Sequence, residues 1–182
     1  MEGTVLEAPT VGAEGTNDHE VTEKVQPEKI PQPNPKKARA EGNRVAMKIK
    51  AAKAQFYIDD VDLDDQIPDV VMASEAVRKT LGKVSAGFMV ISAGVTHLLV
   101  IVDVPKDKVD QISAKTWLLE GLTGISTSFT DDSTDTCAKA FINITMPFPL
   151  KNTVRSNAFA YLRKCKLLEE EESDEEVYTF DD

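Results

Sequence analysis

This 182-residue chain contains few histidines and cysteines, which are common in catalytic and metal sites. Its two histidines, His19 and His97, and its two cysteines, Cys137 and Cys165, show no spacing typical of a metal site, a redox pair or a catalytic triad. Neither G-x-x-x-x-G-K-[ST] nor G-x-G-x-x-G is present to hold nucleotide phosphates. We predict no enzyme activity, no catalytic residue, no cofactor and no metal. We interpret the cysteines as free, packed thiols and His97 as a packed strand residue.

Long apolar segments are also missing from the sequence. No run approaches the roughly 18 apolar residues of a membrane span, and the start of the chain lacks the charged and apolar regions of a secretory signal. We therefore expect a protein that has no membrane partner and that stays in the cytoplasm or the nucleus.

The two ends of the chain differ from its middle in composition. Residues 1–40 are rich in Glu, Thr, Gly and Pro, and closely spaced prolines from Pro27 to Pro35 favour extended backbone. We predict that residues 1–54 form a disordered N-terminal arm with a basic segment. Residues 169–182 form a like-charge block that cannot collapse on itself, so we predict an acidic disordered tail. Residues 55–168 remain as a single domain.

Basic residues are concentrated in two segments. In the arm, a K-K-x-R cluster at residues 36–39 is typical of nuclear import signals, and the same stretch could lie along a phosphate backbone. The predicted nucleic-acid contacts in the arm are Lys36, Lys37, Arg39, Arg44, Lys48, Lys50 and Lys53. Those on the last predicted helix are Lys151, Arg155, Arg163, Lys164 and Lys166.

The acidic tail contains two phosphorylation candidates. Ser173 precedes three acidic residues, and Thr179 lies three residues before Asp182, which is the pattern of an acid-directed kinase site. Phosphate would deepen the negative charge, and the tail could engage a basic protein surface.

Five aspartates follow the first predicted strand: Asp59, Asp60, Asp62, Asp64 and Asp65. Such a group invites a metal interpretation, but it lacks the spacing and the central glycine of a calcium loop. We interpret it as a solvated strand end and helix N-terminus, where acids suit the helix dipole.

Hydrophobic periodicity places seven elements in the middle of the chain. Strands are predicted over residues 55–61, 86–92, 96–104 and 138–146. Helices are predicted over residues 66–81, from an N-cap at Ser113 to Gly124, and over residues 151–168. The order β-α-β-β-α-β-α predicts an α+β domain with a mainly antiparallel four-stranded sheet and three helices on one face.

Several pieces of this pattern resemble a known family. They include Phe56-Tyr57-Ile58, the strand exit Asp103-Val104-Pro105, and the helix start Ser113-Ala114-x-x-Trp117. Over roughly residues 55–166 the chain resembles the C-terminal domain of eukaryotic cytoplasmic alanyl-tRNA synthetases. The resemblance implies a non-catalytic domain that helps to hold the outer corner of tRNA and contributes to self-association.

The chain differs from that family at the family's glycine-rich motif. The segment from Gly124 to Asp132 stands in its place and has one glycine, with Asp131 and Asp132 at its end. Close approach of backbone to a phosphate needs positions without side chains, and aspartates repel phosphate. No phosphate-binding residue is therefore carried over onto this loop.

Two functional hypotheses follow from the sequence. The first is an accessory domain that binds tRNA or other structured RNA through its basic segments, with Phe129 or Trp117 stacking on bases where exposed, although we interpret Trp117 as core. The alternative is a nuclear or cytoplasmic protein-interaction module that uses its acidic tail or forms a homo-oligomer and binds no nucleic acid. The tail could also compete with nucleic acid for the basic segments.

Overall fold

The computed structural model describes residues 32–168, which form an α+β fold with four strands and four helices. The strands are β1 Phe56–Asp60, β2 Gly87–Ala93, β3 His97–Asp103 and β4 Cys137–Asn143. The helices are α1 Pro35–Ala52, α2 Ile67–Leu81, α3 Ala114–Gly121 and α4 Pro147–Lys164. A short 3-10 turn at Lys106–Lys108 follows β3. The α+β class and the mainly antiparallel four-stranded sheet are confirmed.

The sheet has the strand order β1-β2-β3-β4. Strands β1 and β2 are parallel, with Phe56 opposite Gly87, because α2 carries the chain back between them. The β2–β3 and β3–β4 pairs are antiparallel. The tight connection after Ala93 makes β2 and β3 a hairpin.

Helices cover both faces of this sheet, so the prediction of helices on one face is wrong. One apolar core joins Met89 and Val100 to α3 and α4, and the other joins Val90 and Ile101 to α1 and α2. The two central strands are buried on both faces, since nearly every side chain in them is apolar. A sheet that is apolar on both faces requires a second helical layer.

That second layer includes α1, which the sequence analysis does not predict. The prediction of three helices is wrong, and so is the prediction that the basic segment within residues 1–54 is disordered. Pro35 occupies the first turn, where no backbone donor is needed, and the Asn34 side chain accepts from the Lys37 N–H at 3.0 Å. The buried side of α1 consists of Ala38, Gly42, Val45, Ala46 and Ile49.

Helix α1 packs unusually close to α2. An added Cβ at Gly42 would lie 2.2 Å from the Ala73 carbonyl oxygen and 2.7 Å from the Ala76 Cβ. The Asn34 N–H also donates to the buried Asp69 carboxylate at 2.7 Å, which fixes the start of α1 beside the start of α2. The two helices therefore run parallel with their first turns together.

The last helix begins earlier than predicted. The sequence predicts that β4 extends to residue 146 and that α4 begins at 151, because Pro147 and Pro149 are expected to end the strand. The strand ends at Asn143, and both prolines lie in the first turn of α4, where the lack of an N–H costs nothing. Met146 precedes the helix with φ 58°, in the left-handed region.

Polar groups cover both edges of the sheet. At the β1 edge, Arg44 Nη2 donates to the Asp60 carbonyl oxygen at 2.6 Å. At the β4 edge, the Thr130 N–H donates to the Lys139 carbonyl oxygen at 2.8 Å, and the Lys139 N–H donates to Ser133 Oγ at 3.0 Å. The polar loop at residues 126–136 thus returns along β4.

Candidate nucleic-acid interface

The helical period sorts the cations of α1 into two sets on either side of its buried face. Lys37, Arg44 and Lys48 recur at steps of seven and four residues and point towards β1. We call them the inner stripe. Lys36, Arg39 and Lys50 lie on the other side, exposed to solvent. Together with Lys53, which ends α1, and Lys79 of α2, they form what we call the outer basic face.

Acidic partners hold the inner stripe. Arg44 Nη1 and Lys48 Nζ each lie 2.9 Å from Asp59 Oδ2, and Lys37 Nζ lies 3.0 Å from Asp62 Oδ2. The hydrogen bond from Lys37 to Asp62 raises the pKa of Lys37, and that from Arg44 to Glu41 raises the pKa of Arg44. Three of the cations predicted to contact phosphate are thus paired with acids of the same chain.

Two cations of α4 reach the same acidic segment from the opposite face of the sheet. Lys151 Nζ and Arg155 Nη1 each lie 3.4 Å from Asp60 Oδ2. The other Asp60 oxygen is buried without a hydrogen-bond partner among the described residues. The two predicted basic segments therefore do meet, but they meet at carboxylates. They do not form an open basic surface there.

The interpretation of the five aspartates as solvated is thus wrong for most of them. Asp59 and Asp60 are paired with cations, and Asp65 is bound by backbone. Asp65 accepts from the N–H groups of Val95, Thr96 and His97 at 2.7 to 3.2 Å. Burial acts to raise the pKa of Asp65, but these backbone donors outweigh it and hold the pKa below its ordinary value.

The outer basic face borders a groove between α1 and α2. The groove encloses about 580 Å³ and is lined by Arg39, Asn43, Met72, Glu75, Ala76, Lys79 and Thr80. Lys50 Nζ donates to the Thr80 carbonyl oxygen at 2.6 Å, close to the end of α2. Within residues 32–168, no carboxylate lies within ion-pair distance of these five cations. Glu75 is the single acid that lines the groove.

The remaining predicted contacts lie elsewhere. Arg163, Lys164 and Lys166 are exposed at the end of α4, which packs on the other face of the sheet from α1. The K-K-x-R cluster lies in the first turn of α1 rather than in a disordered arm, with Lys37 held by Asp62. An import receptor that binds its signal as an extended peptide would require this helical turn to unfold.

The aromatic candidates for base stacking are separated. Trp117 is fully buried, edge-on to Phe56 at a centroid distance of 5.8 Å, and its Nε1 donates to the Ala158 carbonyl oxygen at 3.3 Å. Its interpretation as core is confirmed. Phe129 is exposed in the loop before β4, with the Lys115 ammonium 5.6 Å from its ring centroid.

The other singled-out residues have structural contacts. His97 is half-buried in β3, and its Nδ1 lies 2.9 Å from Thr96 Oγ1. The two cysteines are free and half-buried, and burial raises the pKa of the Cys137 thiol. Ser173 and Thr179 lie outside the described residues, as do residues 1–31 of the predicted arm and the whole predicted tail at 169–182.

Charge is unevenly divided along the chain. Residues 32–168 contain 19 Lys and Arg against 15 Asp and Glu, a net charge of +4, whereas the whole chain has a net charge of −10. No helix within this part of the chain is long and apolar enough to cross a bilayer. Residues 32–168 also contain no group of three or more His, Cys, Asp or Glu side chains that could hold a metal ion.

No protein-family model matches the chain, and no curated protein matches its sequence. The resemblance to the C-terminal domain of alanyl-tRNA synthetases therefore stays a prediction. Lys79, which joins the outer basic face from α2, is not among the contacts predicted from the sequence. The outer basic face could have been found from the sequence only by predicting a helix over residues 35–52, because a helical period is what separates the cations there into two sets.

Proposed function

We propose that this domain is a non-catalytic binding module for the phosphate backbone of structured RNA, with tRNA as the class that the family resemblance favours. The observation that carries the proposal is the outer basic face. Its cations are exposed and without acidic partners in the described chain, while the inner stripe on the same helix is neutralised. Free cations gain from displacing the counterions of a phosphate backbone, whereas paired cations would first have to lose their partners.

The test is binding of total tRNA to the full chain across a series of salt concentrations. The first variant changes Lys36, Arg39, Lys50 and Lys79 to Gln. A matched control changes Lys106, Arg163, Lys164 and Lys166 to Gln, which are also exposed and remove the same charge. Each lost phosphate contact lowers the slope of log K against log salt by roughly 0.7 to 0.9.

We expect the first variant to lower that slope by about three and the affinity by at least about tenfold. The control should bind nearly as the unmodified chain does. Equal losses in both variants would indicate binding by net charge alone, and absence of binding by the unmodified chain at low salt would rule out an RNA-binding function.

A second candidate function is self-association, which a small apolar patch favours. Val95, Met146 and Phe148 are 79%, 69% and 63% exposed. They share one end of the sheet, since the Ile144 N–H donates to the Thr96 carbonyl oxygen at 2.9 Å and Phe148 and Ala93 line the same small cavity. Sedimentation of the full chain and of Met146→Ser/Phe148→Ser tests this: an oligomer that dissociates in the variant supports it, and a monomeric unmodified chain refutes it.

A further inference from the structure

A second exposed basic surface lies at the end of α4, away from the outer basic face. Arg163, Lys164 and Lys166 are exposed there, and no acidic residue between 32 and 168 lies within ion-pair distance of any of them. We call these three residues the C-terminal cations. Three adjacent unpaired cations repel one another, so an acidic ligand at this surface would be stabilised.

Lys164, one of the C-terminal cations, lines a groove between α3 and α4. Its first part, about 200 Å³, is lined by Glu120, Thr123, Asn157, Ala160, Tyr161 and Lys164. Its second part, about 560 Å³, lies along the end of α3 and the loop that follows, and is lined by Leu119, Thr123, Gly124, Ile125, Ser126 and Thr127. The two parts share Thr123, and they combine apolar side chains with the basic Lys164 and one acid, Glu120. Such a surface fits an acidic segment that also contains aromatic residues.

The chain itself supplies such a segment directly after this surface. Residues 169–182 contain nine Asp and Glu and no Lys or Arg, with Val177, Tyr178 and Phe180 near the end. Leu168, the last described residue, is half-buried against the core, only four residues beyond Lys164. Fourteen extended residues span up to about 50 Å, so the whole groove is within reach.

We propose that residues 169–182 bind in the groove between α3 and α4. Their acidic residues contact the C-terminal cations, and Tyr178 and Phe180 occupy the apolar part beside Leu119 and Ile125. Attachment to Leu168 raises the local concentration of the segment at this groove to the millimolar range. The outer basic face lies across the sheet and stays open. The proposal does not depend on RNA binding, and phosphate on Ser173 or Thr179 would strengthen the contact.

Zero-length carbodiimide cross-linking of the full chain tests the location of the segment. This reagent joins carboxylates to amines that are in contact, and an equal mixture of 14N- and 15N-labelled chains separates links within one chain from links between chains. Links from residues 174–182 are the informative ones, since 169–172 are too near Lys166 in sequence. We expect them within one chain, to Lys164 and Lys166.

Hydrogen exchange of the full chain tests the apolar half of the contact. We expect Tyr178→Ser/Phe180→Ser to speed amide exchange at residues 123–127 by at least about threefold and to leave α1 unchanged. Links mainly to Lys36, Lys50 or Lys79 would overturn the proposal by placing the segment on the outer basic face. Links only between chains, or unchanged exchange at residues 123–127, would overturn it as well.

Discussion

The two sides of α1 carry cations of the same kind, but those on one side are paired with carboxylates and those on the other are exposed to solvent. Lys37, Arg44 and Lys48 on the inner stripe have carboxylate partners at 2.9 to 3.0 Å, whereas Lys36, Arg39 and Lys50 have none among residues 32–168. A basic run in a sequence therefore does not define a basic surface. The helical phase and the position of acids on the neighbouring strand decide which cations remain available to a ligand.

The largest effect on stability is expected from a substitution that forces α1 away from α2. In Gly42→Ala the new Cβ would lie 2.2 Å from the Ala73 carbonyl oxygen. We expect a loss of at least about 2 kcal/mol in the free energy of unfolding, because forced contacts in a packed interface outweigh the better helix propensity of alanine. Urea unfolding measures it. Ala40→Gly, on the exposed side of the same helix, should cost only about 1 kcal/mol, and an equal loss in both variants would contradict the close packing.

Removal of the shared acid should affect the inner stripe alone. Asp59 is buried and contacts both Arg44 and Lys48, so Asp59→Asn leaves Lys48 without a carboxylate partner and Arg44 with Glu41 alone. We expect a loss of about 2 kcal/mol in unfolding free energy with an unchanged dependence on urea.

The matched control is Asp62→Asn, at a carboxylate whose side chain is 82% exposed. It should change stability by less than about 0.5 kcal/mol. Equal effects of the two substitutions would mean that the burial of Asp59 has no energetic consequence.

Asp65 differs from Asp59 in that backbone N–H groups, and not cations, are its main partners. Its pKa is lower in the folded chain than its ordinary value, so its contribution to stability is present above the unfolded pKa of about 4 and is lost as the pH falls through the folded pKa. We expect Asp65→Asn to lower stability by about 1 kcal/mol at pH 7 and by progressively less below pH 4.

Asp103 has the opposite sign, because burial raises its pKa and stability from this group increases as the pH falls. The difference between the unmodified chain and the Asp65 variant removes this effect, and urea titrations between pH 3 and pH 7 measure that difference. A difference that stays constant over this range would contradict the lowered pKa of Asp65.

The smallest effect should be that of Arg39→Gln on the outer basic face. With no acidic partner in the described chain to lose, this exposed side chain should change unfolding free energy by less than about 0.5 kcal/mol. Thermal unfolding at constant pH checks this. A larger loss would mean that Arg39 has a structural contact and that the outer face is less free than we infer.

The sequence predicts well those elements whose apolar period is strong. Strand β3 is found at His97–Asp103 and α2 at Ile67–Leu81, both close to their predicted bounds, and Ser113 is the N-cap of α3 as predicted. Helix α1 is missed because its buried side is built largely of Ala and Gly, which give little hydrophobic signal. Close approach of two helices requires such small residues, so the contact between α1 and α2 leaves little hydrophobic signal in the sequence.

The candidate site is less predictable than the fold. All the cations of α1 are found from composition, but which of them are free depends on Asp59 and Asp62, which belong to a different element. Lys151 and Arg155 meet Asp60 from the opposite face of the sheet, a contact that no local pattern encodes. Sequence period can sort the side chains of one helix, but it cannot identify their neighbours on other elements.

The covered sheet edges have a consequence for the behaviour of the chain in concentrated solution. Exposed strand edges are templates for edge-to-edge aggregation, and charged or returning segments block them. Here Arg44 caps the carbonyl of Asp60 on β1, and Thr130 and Ser133 satisfy Lys139 on β4. Arg44, which its ion pairs with Glu41 and Asp59 withdraw from any ligand, thus also hinders edge-to-edge pairing through its hydrogen bond to the Asp60 carbonyl. Self-association of this protein is therefore expected to use side chains at the end of the sheet and not its strands.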